Sequence, residues 1–511
     1  MKFSKWMKRL FRQRILIILI LLVQLAFVVW SIFSNSEKWE IVSVALTWVS
    51  FFVALYVVNS RDKGAYKTSL VFLILLFPIF GGLFYILFKG TFPWRAMHRD
   101  LLDIEQKSKN NRLLPDSAKE PACEQFPGRA RQIRYLTEYA GFPICDGAET
   151  RYFSLGDDVL PVMLEEMKKA EKYIFLEYFI IREGKMWDAI AEVLEERAAA
   201  GVDVRVIYDD VGCFGGLDGK NFSEAGYRGI RFAAFNRFVP LISTVQNNRD
   251  HRKILAIDGK VAFTGGVNIA DEYINAIDRF GHWKDSALMV RGSAAWSFTV
   301  MFLQMWSFCV GRDDEAFDRY FPTEMPRVEG NGYVLPYTDS PMDRENVGEH
   351  VYLQLINTAR KYLYITTPYL IIDDSTVSAL TLAAKSGVDV RIITPYRYDK
   401  FLVHFTTRSY YRKLIHAGVK IYEYSPGFIH SKLFVTDDEA ATVGTANMDF
   451  RSLYLHFECG AVMYGTDAVK QVKEDFLSTL EVCHAISLEE CHRSWSVRLI
   501  QAIMRLFAPL M

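Results

Sequence analysis

The sequence lacks an excess of charge of either sign. Lys+Arg and Asp+Glu both total 60 in 511 residues, so the formal net charge is +0. That balance excludes a whole-chain binder of polyanions but leaves room for a local basic site. Cysteine is scarce and odd in number, seven residues spread over Cys123, Cys145, Cys213, Cys309, Cys459, Cys483 and Cys491. A disulfide-rich secreted scaffold is therefore excluded, and the redox compartment stays open. Apolar residues are abundant instead: half the chain is hydrophobic, 14% is aromatic and 23% is charged. This composition is globular or membrane-bound and excludes a largely disordered chain. At roughly 100–200 residues per domain, the length predicts two to four domains.

Three apolar runs occupy the first ninety positions. Residues 15–33 (ILIILILLVQLAFVVWSIF) carry Gln24 as the one strongly polar side chain and suit one bilayer crossing. Residues 41–58 form a weaker run that includes Ser43, Thr47 and Ser50. Residues 69–88 contain Pro78, Gly81 and Gly82, which fits a kinked span or a re-entrant hairpin. Residues 1–90 are thus read as a basic tail and two to three transmembrane helices. Lys2, Lys5, Lys8, Arg9, Arg12 and Arg14 precede the first run. The positive-inside rule puts that end inside, and three crossings put the rest of the chain outside. A signal-peptide reading of the first run, with Ser34 and Ser36 as a weak cleavage pattern, gives the same side. A re-entrant third run reverses it.

Residues 91–147, broken by Pro115, Pro121 and Pro127, are read as a linker with one helix. Beyond them, helical and strand patterns alternate, which predicts α/β layering. The chain also repeats itself. KYIFLEYFII at 172–181 has a counterpart in KYLYITTPYLII at 361–372. GVDVR occurs at 201–205 and again at 387–391, and Ala225-Gly226 matches Ala417-Gly418. Matches in the same order at this spacing predict two homologous domains, over 148–325 and 326–490, rather than a solenoid.

Each half carries one copy of a constellation. His251, Lys253, Asp258 and Asn268 match His430, Lys432, Asp437 and Asn447 at identical spacing, 179 positions apart. The residues after each histidine read as a strand, so His and Lys share a face. Lysine supplies a cation for phosphate oxygens and asparagine an amide donor. Gly265, Gly266, Gly444 and Thr445 are small enough to let backbone approach a phosphate. Two histidines can divide phosphodiester chemistry, one attacking phosphorus and the other protonating the leaving alcohol. The catalytic set is then His251, Lys253, Asp258, His430, Lys432 and Asp437. The two aspartates are expected to hold strand and lysine rather than touch substrate. Asn268 and Asn447 are the expected substrate-binding residues. Asp285 and Glu458, 34 and 28 positions after His251 and His430, are the candidates to orient the histidines.

Paired HxKx4D segments followed by G(G/T)xN resemble the phospholipase D superfamily. The N-terminal apolar runs, RDHRKILAIDGKVAFTGGVNIADEY, HWKDSAL, GFIHSKLFVTD and VGTANMDFRSLYLHFE are similar, more narrowly, to bacterial cardiolipin synthases. The resemblance covers about residues 41–511. It implies two phospholipase D-like α/β/α domains forming one pseudo-twofold unit. It also implies a membrane enzyme that transfers a phosphatidyl group from one phosphatidylglycerol to another through a phosphatidyl-histidine. By the same resemblance His251 is the nucleophile and His430 the general acid, then base. Lys253, Lys432, Asn268 and Asn447 would hold the phosphoryl oxygens. The scheme needs no metal and no other cofactor, because Lys and Asn supply the charge stabilisation.

The remaining features are less decisive. Cys483-His484 and Cys491-His492 are read as ordinary helix positions in preference to a zinc site. Residues 491–511 predict an amphipathic helix. Ser494, Arg498, Gln501 and Arg505 line one side, and Trp495, Leu499, Ile503, Leu506 and Leu510 the other. It suits an anionic lipid interface or packing on the catalytic domain. A hydrolytic phospholipase D, a phosphatidyltransferase with another alcohol acceptor and a membrane scaffold are the competing functions. A nuclease would need a basic groove, and no nucleic-acid partner is expected.

Overall fold

The computed structural model describes residues 37–60, 62–77, 81–82, 85, 99–105, 117–214, 227–237, 244–311, 317–325, 330–343 and 345–510. The apolar run at 15–33 lies outside them. The chain divides into two units, one of residues 1–95, 238–247 and 505–511, the other of residues 96–237 and 248–504.

In the first unit, α1 (Glu37–Val58) contains an 18-residue stretch of mean hydropathy 2.3 that is 17% buried. It is long and apolar enough to cross a membrane. The second helix, α2 (Gly64–Leu76), has 13 residues and starts before the predicted run. Ala54, Val57, Ile74 and Tyr85 form a small core between them.

The second unit is α/β. Its first strands in chain order are β1 (Cys145–Asp146), β2 (Glu149–Phe153), β3 (Tyr173–Tyr178), β4 (Asp203–Asp209), β5 (Ile230–Phe235), β6 (Lys253–Ile257), β7 (Val261–Gly265), β8 (His282–Lys284) and β9 (Ala287–Arg291). They are followed by β10 (Tyr333–Asp339), β11 (Tyr362–Thr366), β12 (Asp389–Pro395), β13 (Lys420–Tyr424), β14 (Gly427–Ile429), β15 (Leu433–Thr436), β16 (Ala440–Gly444), β17 (Glu458–Tyr464) and β18 (Cys483–Ala485). One sheet runs β2-β9-β7-β6-β3-β4-β5. The other runs β1-β10-β17-β16-β15-β11-β12-β13-β18. Without the edge strands β1 and β18, the second order repeats the first position by position. In each, three strands are parallel (β3, β4, β5 and β11, β12, β13) and the rest pair antiparallel.

Strands buried on both faces explain the continuous apolar runs in the sequence. Helices Gly156–Lys168 and Lys185–Ala199 cover one face of the first sheet. A single apolar cluster takes side chains from both sheets and from α3 (Ser293–Val310). This helix is also long and apolar enough to cross a membrane, but its 18 residues are 78% buried and it is a core helix.

Two expectations are corrected. Much of the segment read as a linker is built into the fold. Helices Lys119–Gln125 and Ala130–Arg134 lead to β1, which pairs with β10. Buried Arg129 forms a 2.9 Å ion pair with Asp437. Cys483 and His484 lie on a strand rather than a helix, because that segment completes the sheet edge beside β13. Cys491 and His492 follow in a turn, and His484 meets Glu490 at 2.6 Å.

The C-terminal helix, α4, spans Trp495–Phe507. Trp495, Leu499 and Ile503 of its apolar side are exposed, which fits an interface better than burial in a domain. Its last turn belongs to the first unit. There Leu506 accepts a hydrogen bond from Ser69, and Phe507 meets Phe72 edge-on.

Candidate active site

Each motif aspartate sits in the tight turn after its strand, with positive φ at Asp258 (53°) and Asp437 (59°). Asp tolerates this conformation, and a hairpin turn demands it. From there Asp258 accepts backbone N–H bonds from Glu171, Lys172 and Tyr173 at 2.8–2.9 Å. Asp437 accepts the matching set from Arg360, Lys361 and Tyr362 at 2.7–3.1 Å. Their carboxylates fasten the entry into β3 and β11. The expectation that they hold the lysines is corrected: turn geometry points them at neighbouring backbone.

The lysines turn back on the histidines. Lys253 Nζ donates to the carbonyl of His251 at 2.6 Å, and Lys432 Nζ donates to the carbonyl of His430. All four residues are buried. Lys253 lies close enough to His430 and Lys432 to act on both electrostatically, so the two motifs face one site.

The histidine partners are exchanged between the halves. His251 Nδ1 donates to Glu458 at 2.9 Å, and His430 Nδ1 donates to Asp285 at 2.6 Å. Chain order suggested Asp285 for His251 and Glu458 for His430. Backbone pairing explains the exchange. His251 N donates to Phe457 O, and Phe457 N donates to Arg249 O. Likewise β14, just before His430, pairs in parallel with β8, which ends at Lys284. Each histidine is thus zipped beside the acid of the opposite half.

Behind the acids the halves differ. A Cβ at Gly266 would lie 2.0 Å from Asp285 Oδ1, so only glycine leaves that carboxylate its place. The matched Thr445 instead donates its hydroxyl to Glu458. Beside the imidazoles, Trp283 packs 5.6 Å from His430, and the matched position holds His456, 5.5 Å from His251.

Asn268 is partly committed, accepting from Ile180 N at 3.1 Å and donating to the Tyr273 hydroxyl at 2.7 Å. Asn447 donates to Asp449 at 3.3 Å, and its Oδ1 is buried without a hydrogen-bond partner.

Burial sets the protonation of these groups. It drives His251 down to about 3 and His430 to about 4, against the raising pull of Glu458 and Asp285. Lys253 falls to about 8 and Lys432 to about 7 for the same reason. Burial would raise Glu458, but His251 and His456 hold it well below the usual carboxylate range. Both imidazoles are therefore neutral at pH 7, with Nδ1–H on a carboxylate and the Nε2 lone pair available. Cationic groups kept partly uncharged by burial make a site poised for an anion.

His456, Tyr273 and Trp283 were not singled out from sequence, and Thr445 was noted for its small size rather than for the hydroxyl that reaches Glu458. For His456 and Trp283 the available signal was position, two residues before each orienting acid. Among the described residues, His251, His456 and Glu458 bring their ligand atoms within 4.8 Å of one another and could hold a divalent ion. The Cys/His pairs at 483–484 and 491–492 form no such group among the described residues.

The family described as cardiolipin synthase, PLD-like domain, matches residues 163–302 and 352–480, one segment in each half. An uncharacterised protein of Streptococcus mutans is 43% identical over 458 residues, 89% of this chain and 99% of its own. A cardiolipin synthase of Geobacillus is 33% identical over 494 residues, 94% of this chain and 97% of its own. The crystal structure of a phosphatidylserine synthase of Haemophilus influenzae aligns with TM-score 0.57 at 14% identity, over 74% of this chain and 99% of that one, a likeness of fold. With a family match in both halves and a relative aligned almost end to end, the chain belongs to the cardiolipin synthase family of phospholipase D-like proteins.

Proposed function

We propose that the protein joins two phosphatidylglycerol molecules into cardiolipin and glycerol by a two-step phosphatidyl transfer. The observation that carries this reading is the pair of buried imidazoles, each with Nδ1 on a carboxylate, facing one site with two lysines. In the first step His251 Nε2 attacks phosphorus. A P–N bond forms, the P–O bond to glycerol breaks, and His430 delivers a proton to the departing oxygen. In the second step His430 takes the proton from a hydroxyl of the second phosphatidylglycerol. That oxygen attacks phosphorus and the P–N bond breaks, freeing His251. The bound phosphate supplies the negative charge that raises His430 and prepares it as an acid. Lys253, Lys432, Asn268 and Asn447 hold the phosphoryl oxygens, and Asp258 and Asp437 position the strands beneath them.

Residues 148–325 and 326–490 act in this reading as two homologous halves related by a pseudo-twofold axis, each giving one histidine. The apolar segments at 15–33, 41–58 and 69–88 anchor the chain in the membrane, with the catalytic halves on the outer side. Lipid mass spectrometry on the purified protein, with phosphatidylglycerol as sole phospholipid, tests the proposal. Cardiolipin with released glycerol is expected, and His251→Ala and His430→Ala should each nearly abolish it. Phosphatidic acid in place of cardiolipin would make the enzyme a hydrolase.

A further inference from the structure

Residues 396–402 lead from β12 into the helix Phe401–His416. Within these seven positions Tyr396, Tyr398, Phe401 and Leu402 are 48–58% exposed. Large apolar side chains grouped this way on a surface mark an interaction site. Tyr398 packs edge-on against Phe401 at 5.7 Å, and Phe401 stacks with Phe405 at 5.9 Å, so these three rings form one ridge, with exposed Tyr396 and Leu402 next to it in the chain. Its base is pinned, because Asp399 accepts from the Tyr369 hydroxyl at 2.5 Å and from Lys400 at 3.0 Å.

The ridge stands at the catalytic end of its sheet. It follows the C-terminal end of a parallel strand, where ligands of open α/β sheets bind. A Cβ at Gly281 would lie 3.0 Å from the Arg397 guanidinium and 2.6 Å from Pro426 O, four residues before His430. After β4, the matched strand of the other sheet, Val211 and Phe214 are exposed as well.

We propose that residues 396–402 form a lip that docks the catalytic unit onto an anionic phospholipid bilayer at the mouth of the site. The choice of partner rests on the lipid-transfer reading above. Tyrosines beside aliphatic side chains match the water–lipid boundary. Exposed Arg397 and a 16-residue helix with no acidic residue in its first turn offer positive charge to lipid phosphates. A lipid lifted from the bilayer past this lip keeps its tails in apolar surroundings while its phosphate reaches His430.

The whole protein and a Phe401→Ser/Leu402→Ser variant are compared on two substrates: phosphatidylglycerol in proteoliposomes and short-chain phosphatidylglycerol dissolved as monomers. The variant should lose about tenfold in activity on vesicles, the order expected when two half-exposed apolar side chains no longer leave water. Activity on dissolved lipid should be unchanged. An equal loss on both substrates, or none on vesicles, overturns the proposal. Backbone hydrogen exchange of residues 396–405 should also slow when wild-type protein passes from amphipol into phosphatidylglycerol nanodiscs, and unchanged exchange overturns the proposal too. Wild-type protein that makes no cardiolipin from either substrate would refute the transfer reading, while the exchange result still tests the lip.

Discussion

Glu458 accepts the Nδ1 proton of His251 at 2.9 Å across a separation of 207 positions. This bond selects the tautomer that leaves Nε2 as a nucleophile and stabilises the positive charge the ring acquires when it attacks. Glu458→Gln keeps the shape and removes the charge. We expect kcat to fall by about 10–100-fold, the range for losing a group that orients a functional imidazole. The thermal midpoint should change little. Steady-state cardiolipin formation at wild-type rate would remove Glu458 from the mechanism.

Gly266→Ala tests the opposite half. Its new methyl group would stand 2.0 Å from Asp285 Oδ1, so the carboxylate must leave His430 or the strand must shift. Overpacking of this kind costs about 1–3 kcal/mol. Leaving-group protonation should slow, so phosphatidylglycerol esters with a more acidic leaving alcohol should be turned over closer to the wild-type rate. A uniform loss on all leaving groups would point to general misfolding instead.

The motif aspartates separate structure from chemistry. Asn accepts positive φ, so Asp258→Asn and Asp437→Asn keep the turn while removing the charge. Asp437 also pairs with buried Arg129, and breaking such a pair costs about 3–5 kcal/mol. Asp258 faces three backbone donors and, among the described residues, no arginine, so its loss should cost about 1–3 kcal/mol. Chemical unfolding should rank Asp437→Asn as the more damaging, with turnover at low temperature little changed in both. A collapse of kcat in a variant that stays folded would return these aspartates to the catalytic set.

What was legible in the sequence was local or repeated. The His-x-Lys spacing survives in any strand because alternate residues share a face, and the duplicated GVDVR segment marks matched strands β4 and β12. What was not legible depends on pairing between distant segments. No spacing rule connects His251 with Glu458, because the contact arises from the backbone bridge between Asp250 and Phe457. Arg129 looked like part of a charged linker, since only the fold brings it to Asp437. The lip was unreadable for the converse reason: Tyr398 and Phe401 have the composition of a core, and exposure alone distinguishes them.

Anion binding should draw protons into the site. In the free protein Lys432 lies at about 7 and Lys253 at about 8, so at pH 8.5 both are largely neutral. A bound phosphate-like anion favours their charged forms and raises both values, so the complex holds more protons than the free protein. Affinity must therefore fall as pH rises through the free-site values, from about 7 to 9. His430, which the same bound charge raises from about 4, adds to the uptake at the low-pH end of this window. Calorimetry of tungstate binding at pH 8.5, in buffers of different ionisation enthalpy, should show net proton uptake. Lys432→Met should reduce that uptake and flatten the pH dependence. Binding with no proton uptake and constant affinity across this range would mean that the lysines are fully charged in the free protein and that burial does not set their protonation.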